Sequence, residues 1–161
     1  MTTTETPRTV EARMPNPAAL LPGAGEAVGA LAAAAHAGGL PPRLLDLVHL
    51  RVSSINGCSS CLLGGTRAAR EAGETDDRLA TVAAWREAPF FTDAERAALE
   101  LAELITRLAD RGEAVPDEVW TEATRHFDER GLAALLLWIA TSNLFNRLNA
   151  PVRQPAGAGW A

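Results

Sequence analysis

Two cysteines separated by two serines are the residues of this chain best suited to chemistry. Cys58 and Cys61 are the only cysteines among 161 residues, and they directly follow an Asn-Gly pair that predicts a turn. The Ala- and Arg-rich stretch after them predicts a helix, so both thiols would lie in its first turn. Backbone N–H groups and the helix dipole stabilise an anion there, which lowers the pKa of a thiol. Such a pair can alternate between two thiols and a disulfide while it reduces a peroxide or another disulfide.

Other interpretations of the cysteine pair stay open at this point. Zinc needs four ligands, and the three histidines, His36, His49 and His126, lack the His-x₃–₅-His spacing that would complete a site. We therefore expect neither a metal nor a cofactor. Two buried, unreactive cysteines are compatible with the pattern, because free cysteine is common in protein cores. A thioredoxin-type domain is disfavoured, since no strand–helix–strand pattern surrounds the motif.

The rest of the chain predicts helices. Hydrophobic residues make up 47% of the sequence with Ala and Leu dominant, aromatic residues only 5%, and no segment alternates with the period of a strand. We expect a single all-α domain of about six to seven helices over residues 16–153, with a flexible arm at 1–15 and a tail at 154–161. Helices are predicted at 17–35, 42–56, 58–72, 75–86, 92–110 and 116–127, and after Gly131.

The clearest helix boundary is a capping box at Thr92-Asp93-Ala94-Glu95. In such a box the threonine side chain accepts a hydrogen bond from the backbone N–H of the glutamate, and the glutamate reaches back to the backbone N–H of the threonine. Gly131 is expected to separate the last two helices, as a glycine between two apolar helical stripes.

Charge and hydropathy exclude several classes of partner. The net charge is −5 and the isoelectric point is about 5.2, so the chain has no basic surface for nucleic acid. No apolar run reaches the length of about 18 residues that a membrane span needs. Residues 1–15 lack the apolar stretch of a signal peptide. We therefore expect a cytoplasmic protein, in which a permanent structural disulfide would be unusual.

The run from Leu50 to Cys61 resembles the signature of the alkylhydroperoxidase AhpD-like and carboxymuconolactone decarboxylase superfamily. Residues 69–75, 84–99 and 138–148 resemble later segments of the same family, so the resemblance extends over about 40–153. It implies an all-helical domain that assembles as a homo-oligomer, often a dimer, trimer or hexamer. It also implies a thiol-dependent peroxidase or disulfide reductase that acts on a small peroxide or organic molecule and takes electrons from a thiol or disulfide donor.

The resemblance also implies roles for single residues. The second cysteine, Cys61, would be the nucleophile and Cys58 the resolving thiol. The family's usual glutamate corresponds to Asp46, and its usual histidine to Gly65. In the family these two residues form a proton relay for the attacking thiol. We hypothesise that His49, three residues after Asp46 on the same predicted helix, takes over part of the lost proton transfer.

The altered relay leaves other functions open. Gly64 and Gly65 are expected to open a cavity beside Cys61, either for a bulkier ligand or as the remnant of a degraded site. One alternative is therefore a decarboxylase-like lyase or an isomerase that acts on a small organic or natural-product intermediate. Another is a non-catalytic oligomeric binding protein. The stripe of Asn143, Asn146 and Asn149 is explained more simply by backbone capping or subunit contacts than by catalysis.

Overall fold

A computed structural model describes residues 8–159, and within that range it contains eight α-helices, two short 3₁₀ helices and no strand. The all-α prediction is confirmed. The helices are α1 (Pro17–Leu20), α2 (Ala24–His36), α3 (Pro42–Asn56), α4 (Ser59–Glu71), α5 (Asp76–Thr81), α6 (Asp93–Thr106), α7 (Asp117–His126) and α8 (Glu129–Asn149). The 3₁₀ helices lie at Val82–Ala84 and Leu108–Asp110.

The expected six to seven helices become eight because the segment predicted as one helix at 17–35 is two helices. Leu21 is extended (φ −91°, ψ 122°) at the end of α1. A residue that precedes a proline is pushed out of the helical region, and Pro22 follows Leu21. Gly23 then adopts a left-handed conformation (φ 80°) before α2 begins. The single-helix prediction was therefore wrong at this break.

Local caps fix the helices next to the cysteines. Pro42 occupies the first turn of α3, and Gly57 ends it in the left-handed conformation (φ 65°) that favours glycine. Cys58 is then the N-cap of α4, so the pair lies at a helix start as predicted. The capping box of α6 is confirmed: the Glu95 N–H donates to Thr92 Oγ1 at 3.3 Å, and the Thr92 N–H donates to Glu95 Oε2 at 2.8 Å.

The predicted boundary at Gly131 was wrong. Helix α8 begins at Glu129, and Asp128 caps it by accepting the Gly131 N–H at 2.7 Å. Gly131 therefore lies in the first turn, and a β-carbon there would come within 3.3 Å of Leu40 Cδ2. The glycine permits a close approach to Leu40, which lies in the segment before α3, and does not interrupt the helix.

Helix α3 is the centre of the fold and packs against α4, α6 and α8. One side of it buries Leu45, Val48 and Val52 in a core shared with α6 and α8. The other side buries Leu47 and Leu50 against a second cluster that includes Trp85 and Leu99. Since both sides of α3 are buried, the side chains that it carries toward α4 and α8 are held in fixed positions.

A buried carboxylate ties α3 to α6 and to the loop before it. Glu103 accepts hydrogen bonds from Arg51 Nε at 2.7 Å and Trp85 Nε1 at 2.8 Å, and it also pairs with Arg86. Burial alone would raise the pKa of Glu103, but the hydrogen bonds from Arg86 and Trp85 and the charge of Arg51 hold it below its usual value. The carboxylate therefore stays ionised inside the protein.

The described part of the predicted N-terminal arm contacts the C-terminal end of the domain. The Arg13 N–H donates to the Val152 carbonyl at 2.8 Å, and its guanidinium donates to the Pro151 carbonyl at 3.1 Å. Residues 1–7 of the arm and 160–161 of the tail lie outside the described residues, and the domain limits 1–15, 16–153 and 154–161 stay predictions. No helix within 8–159 has both the length and the continuous apolar character that crossing a bilayer requires.

Candidate active site

The two cysteines are joined in a disulfide at the start of α4, with their Cα atoms 5.4 Å apart. Cys58 Sγ accepts the Cys61 N–H at 3.4 Å, so the sulfur of the first cysteine occupies the N-cap position. Both residues are buried, with 1% of Cys58 and 7% of Cys61 exposed. The pair is thus in the oxidised state of the predicted thiol–disulfide exchange.

The sulfur-bearing residues line different cavities. Cys61 lines a cavity of about 360 Å³ that α2, α3, α4 and α8 enclose. Its other lining residues are His36, Asp46, His49, Gly64, Gly65, Ala68, Trp138, Phe145 and Asn149. Cys58 lines a second cavity of about 830 Å³, beside residues from the 8–11 and 149–156 segments. Three of the four candidate site residues predicted from the sequence, Asp46, His49 and Cys61, therefore share one cavity.

Aromatic rings form one wall of the cavity at Cys61. The His36 and Trp138 rings meet edge to face at 4.6 Å between centroids, and Phe145 lies 6.3 Å from Trp138. Trp138 Nε1 donates to the Leu45 carbonyl at 2.7 Å, which fixes the indole. Gly64 also lines the cavity, and an added β-carbon there would meet nothing within 4 Å. The cavity therefore has open space beside Gly64 as well as an aromatic wall.

The His49 ring lies against Gly65. A β-carbon built on Gly65 would come within 3.0 Å of His49 Cδ2 and 3.6 Å of His49 Nε2. The other ring nitrogen, Nδ1, lies 3.0 Å from Ser142 Oγ on α8, so the edge with Nε2 faces α4. A side chain at residue 65 would therefore press on the ring of His49, which lies directly beside that position.

Burial controls the charge of both ionisable groups on the α3 side of the cavity. It lowers the pKa of His49 to about 4, and a hydrogen bond to the Cys61 backbone raises that pKa only in part. It also raises the pKa of Asp46; the charge of His36 lowers that pKa and the charge of Glu74 raises it further. His49 is consequently a neutral imidazole near pH 7, and its ring is hydrogen-bonded both to Ser142 on α8 and to the Cys61 backbone on α4.

Asn149 is a functional candidate that the sequence analysis missed. Its Nδ2 donates to Cys61 Sγ at 3.2 Å, and its Oδ1 accepts from Asn16 Nδ2 at 2.6 Å. Asn143 and Asn146 accept hydrogen bonds from Asn56 on α3. All three asparagines make side-chain hydrogen bonds within the chain, and the bond of Asn149 goes to a candidate site residue, a contact that the capping explanation of the stripe does not predict. A signal for it existed: three asparagines spaced by three residues lie on one side of a helix that packs into the core, and buried amides need polar partners.

Metal ligands do not gather in the described part of the chain: no group of three or more His, Cys, Asp or Glu side chains is positioned to hold an ion. The site residues at hand are two sulfurs, one neutral imidazole, one carboxyl group and one amide. This set can move protons and form or break a disulfide.

The chain is similar in sequence to one protein family and to two uncharacterized bacterial proteins. Residues 22–104 match the family described as the carboxymuconolactone decarboxylase family. The uncharacterized protein YdfG of Bacillus subtilis (strain 168) is 39% identical over 104 residues, which are 65% of this chain and 69% of that protein. The uncharacterized protein YnjA of Escherichia coli (strain K12) is 33% identical over 117 residues, 73% of this chain and 63% of that protein.

Solved structures share the fold. A protein of unknown function from Agrobacterium tumefaciens, for which antioxidant defence protein AhpD is the suggested identity, superposes with a TM-score of 0.85 at 30% identity. The match covers 92% of this chain and 100% of the Agrobacterium tumefaciens chain. The debrominase Bmp8 in complex with 2,3,4-tribromopyrrole has a TM-score of 0.75 at 22% identity, over 85% of this chain and 72% of that chain. At that identity the likeness shows the fold alone.

Proposed function

Because this chain belongs to the carboxymuconolactone decarboxylase family, we propose that it is a thiol-dependent oxidoreductase of the AhpD-like type, a peroxidase or disulfide reductase. In this proposal Cys61 attacks the substrate in the aromatic-walled cavity and Cys58 resolves the product. His49 moves the proton. The observation that carries the proposal is the position of the His49 ring, 3.0 Å from where a β-carbon of residue 65 would lie.

That position answers the main objection to an oxidoreductase. The family resemblance places a histidine at residue 65, where this chain has glycine, so the proton relay looked broken. The ring of His49 reaches the same space from α3, and Gly65 leaves room for it. An imidazole thus lies one turn along α4 from Cys61, although it comes from a different helix.

The peroxidase reaction balances with these groups alone. In the reduced protein the Cys61 thiol gives its proton to His49, and the thiolate attacks the outer oxygen of a hydroperoxide. The O–O bond breaks, the alkoxide takes the proton from His49 and leaves as an alcohol, and Cys61 becomes a sulfenic acid. The Cys58 thiol then attacks Cys61 Sγ, water leaves and the disulfide forms. Two thiols are oxidised and one peroxide is reduced; an external thiol donor restores the pair.

The low pKa of His49 belongs to the disulfide form. Reduction places a thiolate near the ring, and an opposite charge at short distance raises the pKa of an imidazole. The proton can therefore move from sulfur to nitrogen in the reduced protein and stay off the ring in the oxidised one. Asp46, whose pKa burial raises, supplies a second protonatable group at the same cavity.

Peroxide consumption by single-residue variants tests this proposal. We expect Cys61→Ser to abolish turnover of tert-butyl hydroperoxide, and Cys58→Ser to leave a sulfenic acid on Cys61 that dimedone labels. His49→Ala should slow the reaction about 100-fold or more, the usual loss for one general acid–base group. His126→Ala, which removes a histidine outside the cavity, is the matched control and should turn over normally.

Two results would contradict the oxidoreductase. If both thiols survive excess peroxide in the reduced protein, the redox reaction does not occur. If a Cys58→Ser/Cys61→Ser double variant keeps an activity on an organic substrate, the lyase or isomerase alternative is favoured. Partial rescue of His49→Ala by Gly65→His, with Gly65→Ala as control, would show that the imidazole works from either helix.

We also propose that copies of the chain assemble, as the family resemblance implies. Several large apolar side chains are exposed in the described chain, among them Leu20 (51%), Leu21 (62%) and Leu31 (42%) around α1 and α2. Burial of such apolar surface favours association of subunits. Light scattering coupled to size exclusion should give a mass above that of one chain, and a mass of 17.0 kDa would contradict assembly.

A further inference from the structure

We infer that Asn16 and Asn149 form a hydrogen-bond chain of fixed direction that holds an N–H donor on Cys61 Sγ and stabilises its thiolate. This inference rests on the proposed function, in which Cys61 is the nucleophile. The chain has three links: the Ala18 N–H donates to Asn16 Oδ1 at 2.9 Å, Asn16 Nδ2 to Asn149 Oδ1 at 2.6 Å, and Asn149 Nδ2 to Cys61 Sγ at 3.2 Å.

The direction of the chain follows from its first link. An asparagine amide can in principle be turned so that its oxygen and nitrogen exchange places, and only its partners decide the orientation. The backbone N–H of Ala18 can only donate, so it requires the oxygen of Asn16, which caps α1. Asn16 then presents its NH₂ group to Asn149. Asn149 must therefore accept this hydrogen bond with its Oδ1, and its own NH₂ group then donates to Cys61 Sγ.

Cys61 depends on this donor because the backbone N–H group at the start of α4 donates to the sulfur of Cys58 instead. The Cys61 N–H is used by Cys58 Sγ, which occupies the N-cap position. Only 7% of Cys61 is exposed, and burial without a hydrogen-bond donor raises the pKa of a thiol. A hydrogen bond to the charged form acts in the opposite direction.

Burial also makes the chain hard to replace by water. Asn16 is 1% exposed and Asn149 is 6% exposed. Hydrogen bonds in a chain polarise one another, and they are stronger where water is excluded. The hydrogen-bond donor on Cys61 therefore depends on Asn16. Asn16 acts through Asn149 and makes no direct contact with the sulfur in this series of hydrogen bonds.

Other groups around Cys61 also influence its thiolate. The titratable side chains that share its cavity are His36 of α2 and Asp46 and His49 of α3, and Cys58 lies on α4 itself. Helix α8 contributes only uncharged groups to the cavity, Asn149 among them. The experiment therefore leaves these titratable groups intact, apart from Cys58, in every protein compared.

The test measures the pKa of Cys61 in full-length Cys58→Ser protein, from the pH dependence of alkylation by iodoacetamide. We expect Asn149→Ala to raise this pKa by about one to two units, a 10- to 100-fold loss of thiolate near neutral pH, as for removal of a hydrogen bond to a charged group. Asn16→Ala should raise it by a smaller amount without touching the sulfur.

Two further variants separate the chain from plain helix capping. Asn16→Asp keeps an oxygen for the Ala18 N–H but offers Asn149 no N–H when ionised, so Asn149 turns its oxygen toward Cys61. We expect it to raise the Cys61 pKa while the thermal midpoint stays near that of the parent. Thr92→Ala removes the N-cap of α6, a helix that does not line the cavity at Cys61, and should lower the midpoint with no change in the pKa.

An unchanged Cys61 pKa in folded Asn149→Ala protein overturns the inference. So does a shift in Asn149→Ala with none in either Asn16 variant, because the direction would then not come from Asn16. If Asn149→Ala fails to fold, the Asn16→Asp result decides alone. The assay uses no peroxide, so a protein without peroxidase activity can still pass it, and an active peroxidase can fail it.

Discussion

The contact between His49 and Gly65 makes a prediction that two adjacent glycines can test. Gly64 and Gly65 lie next to each other in the interior of α4, so an alanine at either position gains the same helix propensity. Their surroundings differ. A β-carbon on Gly64 meets nothing within 4 Å, whereas one on Gly65 comes within 3.0 Å of His49 Cδ2 and 3.1 Å of Leu50 Cδ2.

The expected magnitudes follow from these distances. Gly64→Ala should stabilise the protein by about 0.5–1 kcal/mol, the usual gain in a helix interior. Gly65→Ala has the same gain, but it must push two packed side chains aside, and overpacking costs about 1–3 kcal/mol. We expect a net destabilisation of up to about 2 kcal/mol. In a His49→Ala background the contacts with the ring disappear and the one with Leu50 Cδ2 at 3.1 Å remains, so Gly65→Ala should then be less destabilising.

Urea unfolding of the oxidised proteins at equal concentration measures the four variants, Gly64→Ala, Gly65→Ala, His49→Ala and the His49→Ala/Gly65→Ala double variant, against the parent. The double-mutant cycle between His49 and Gly65 should give a coupling of about 1–3 kcal/mol, the range for residues in contact. If Gly64→Ala and Gly65→Ala stabilise equally, the ring of His49 does not lie on Gly65. The ring could then not replace a side chain at residue 65.

The remaining predictions concern charge and capping. Folding lowers the pKa of His49 from its usual value to about 4. Between about pH 6.5 and pH 4 the unfolded state therefore binds more protons than the folded state. The free energy of unfolding should drop by about 3 kcal/mol as the pH falls through that window. His49→Gln should flatten this pH dependence in urea titrations, and parallel curves would contradict it. Glu103→Ala leaves the charge of Arg51 without its buried partner, so guanidinium unfolding should show a loss of about 3–5 kcal/mol; a loss below about 1 kcal/mol would mean that water replaces the carboxylate. Thr92→Ala should cost about 1 kcal/mol and lower the thermal midpoint by about 2–4 °C, and an unchanged midpoint would argue against the capping box.

Helix boundaries were predictable where the capping residues are adjacent in sequence. The Thr92 capping box and the Gly57 terminus depend on atoms within a few residues, so the sequence pattern and the structure agree. Gly131 was misinterpreted because glycine has two uses. It can end a helix, or it can let another chain segment approach, and only the position of Leu40 distinguishes them. That position depends on tertiary packing.

The candidate site was predictable in the same limited sense. The spacing of Cys58 and Cys61 indicates their chemistry directly, and it places them at a helix start. The bond from Asn149 to Cys61 joins residues 88 positions apart, and the bond from Asn16 to Asn149 spans 133 positions. No local pattern encodes such contacts. His49 could be proposed from its nearness to Asp46, but its contact with Gly65 depends on how α3 packs against α4.

Helix α8 contacts both His49, the proposed proton carrier, and Cys61, the proposed nucleophile. Ser142 holds Nδ1 of His49, and Asn149, two turns further along the same helix, donates to Cys61. Ser142 is fully buried, so its hydroxyl has few other partners and helps to decide which nitrogen of the ring carries the proton. In the proposed mechanism an imidazole on α3 therefore works only if α8 keeps its position. In that mechanism the proton relay is distributed over α3, α4 and α8, and α8 orients both His49 and Cys61.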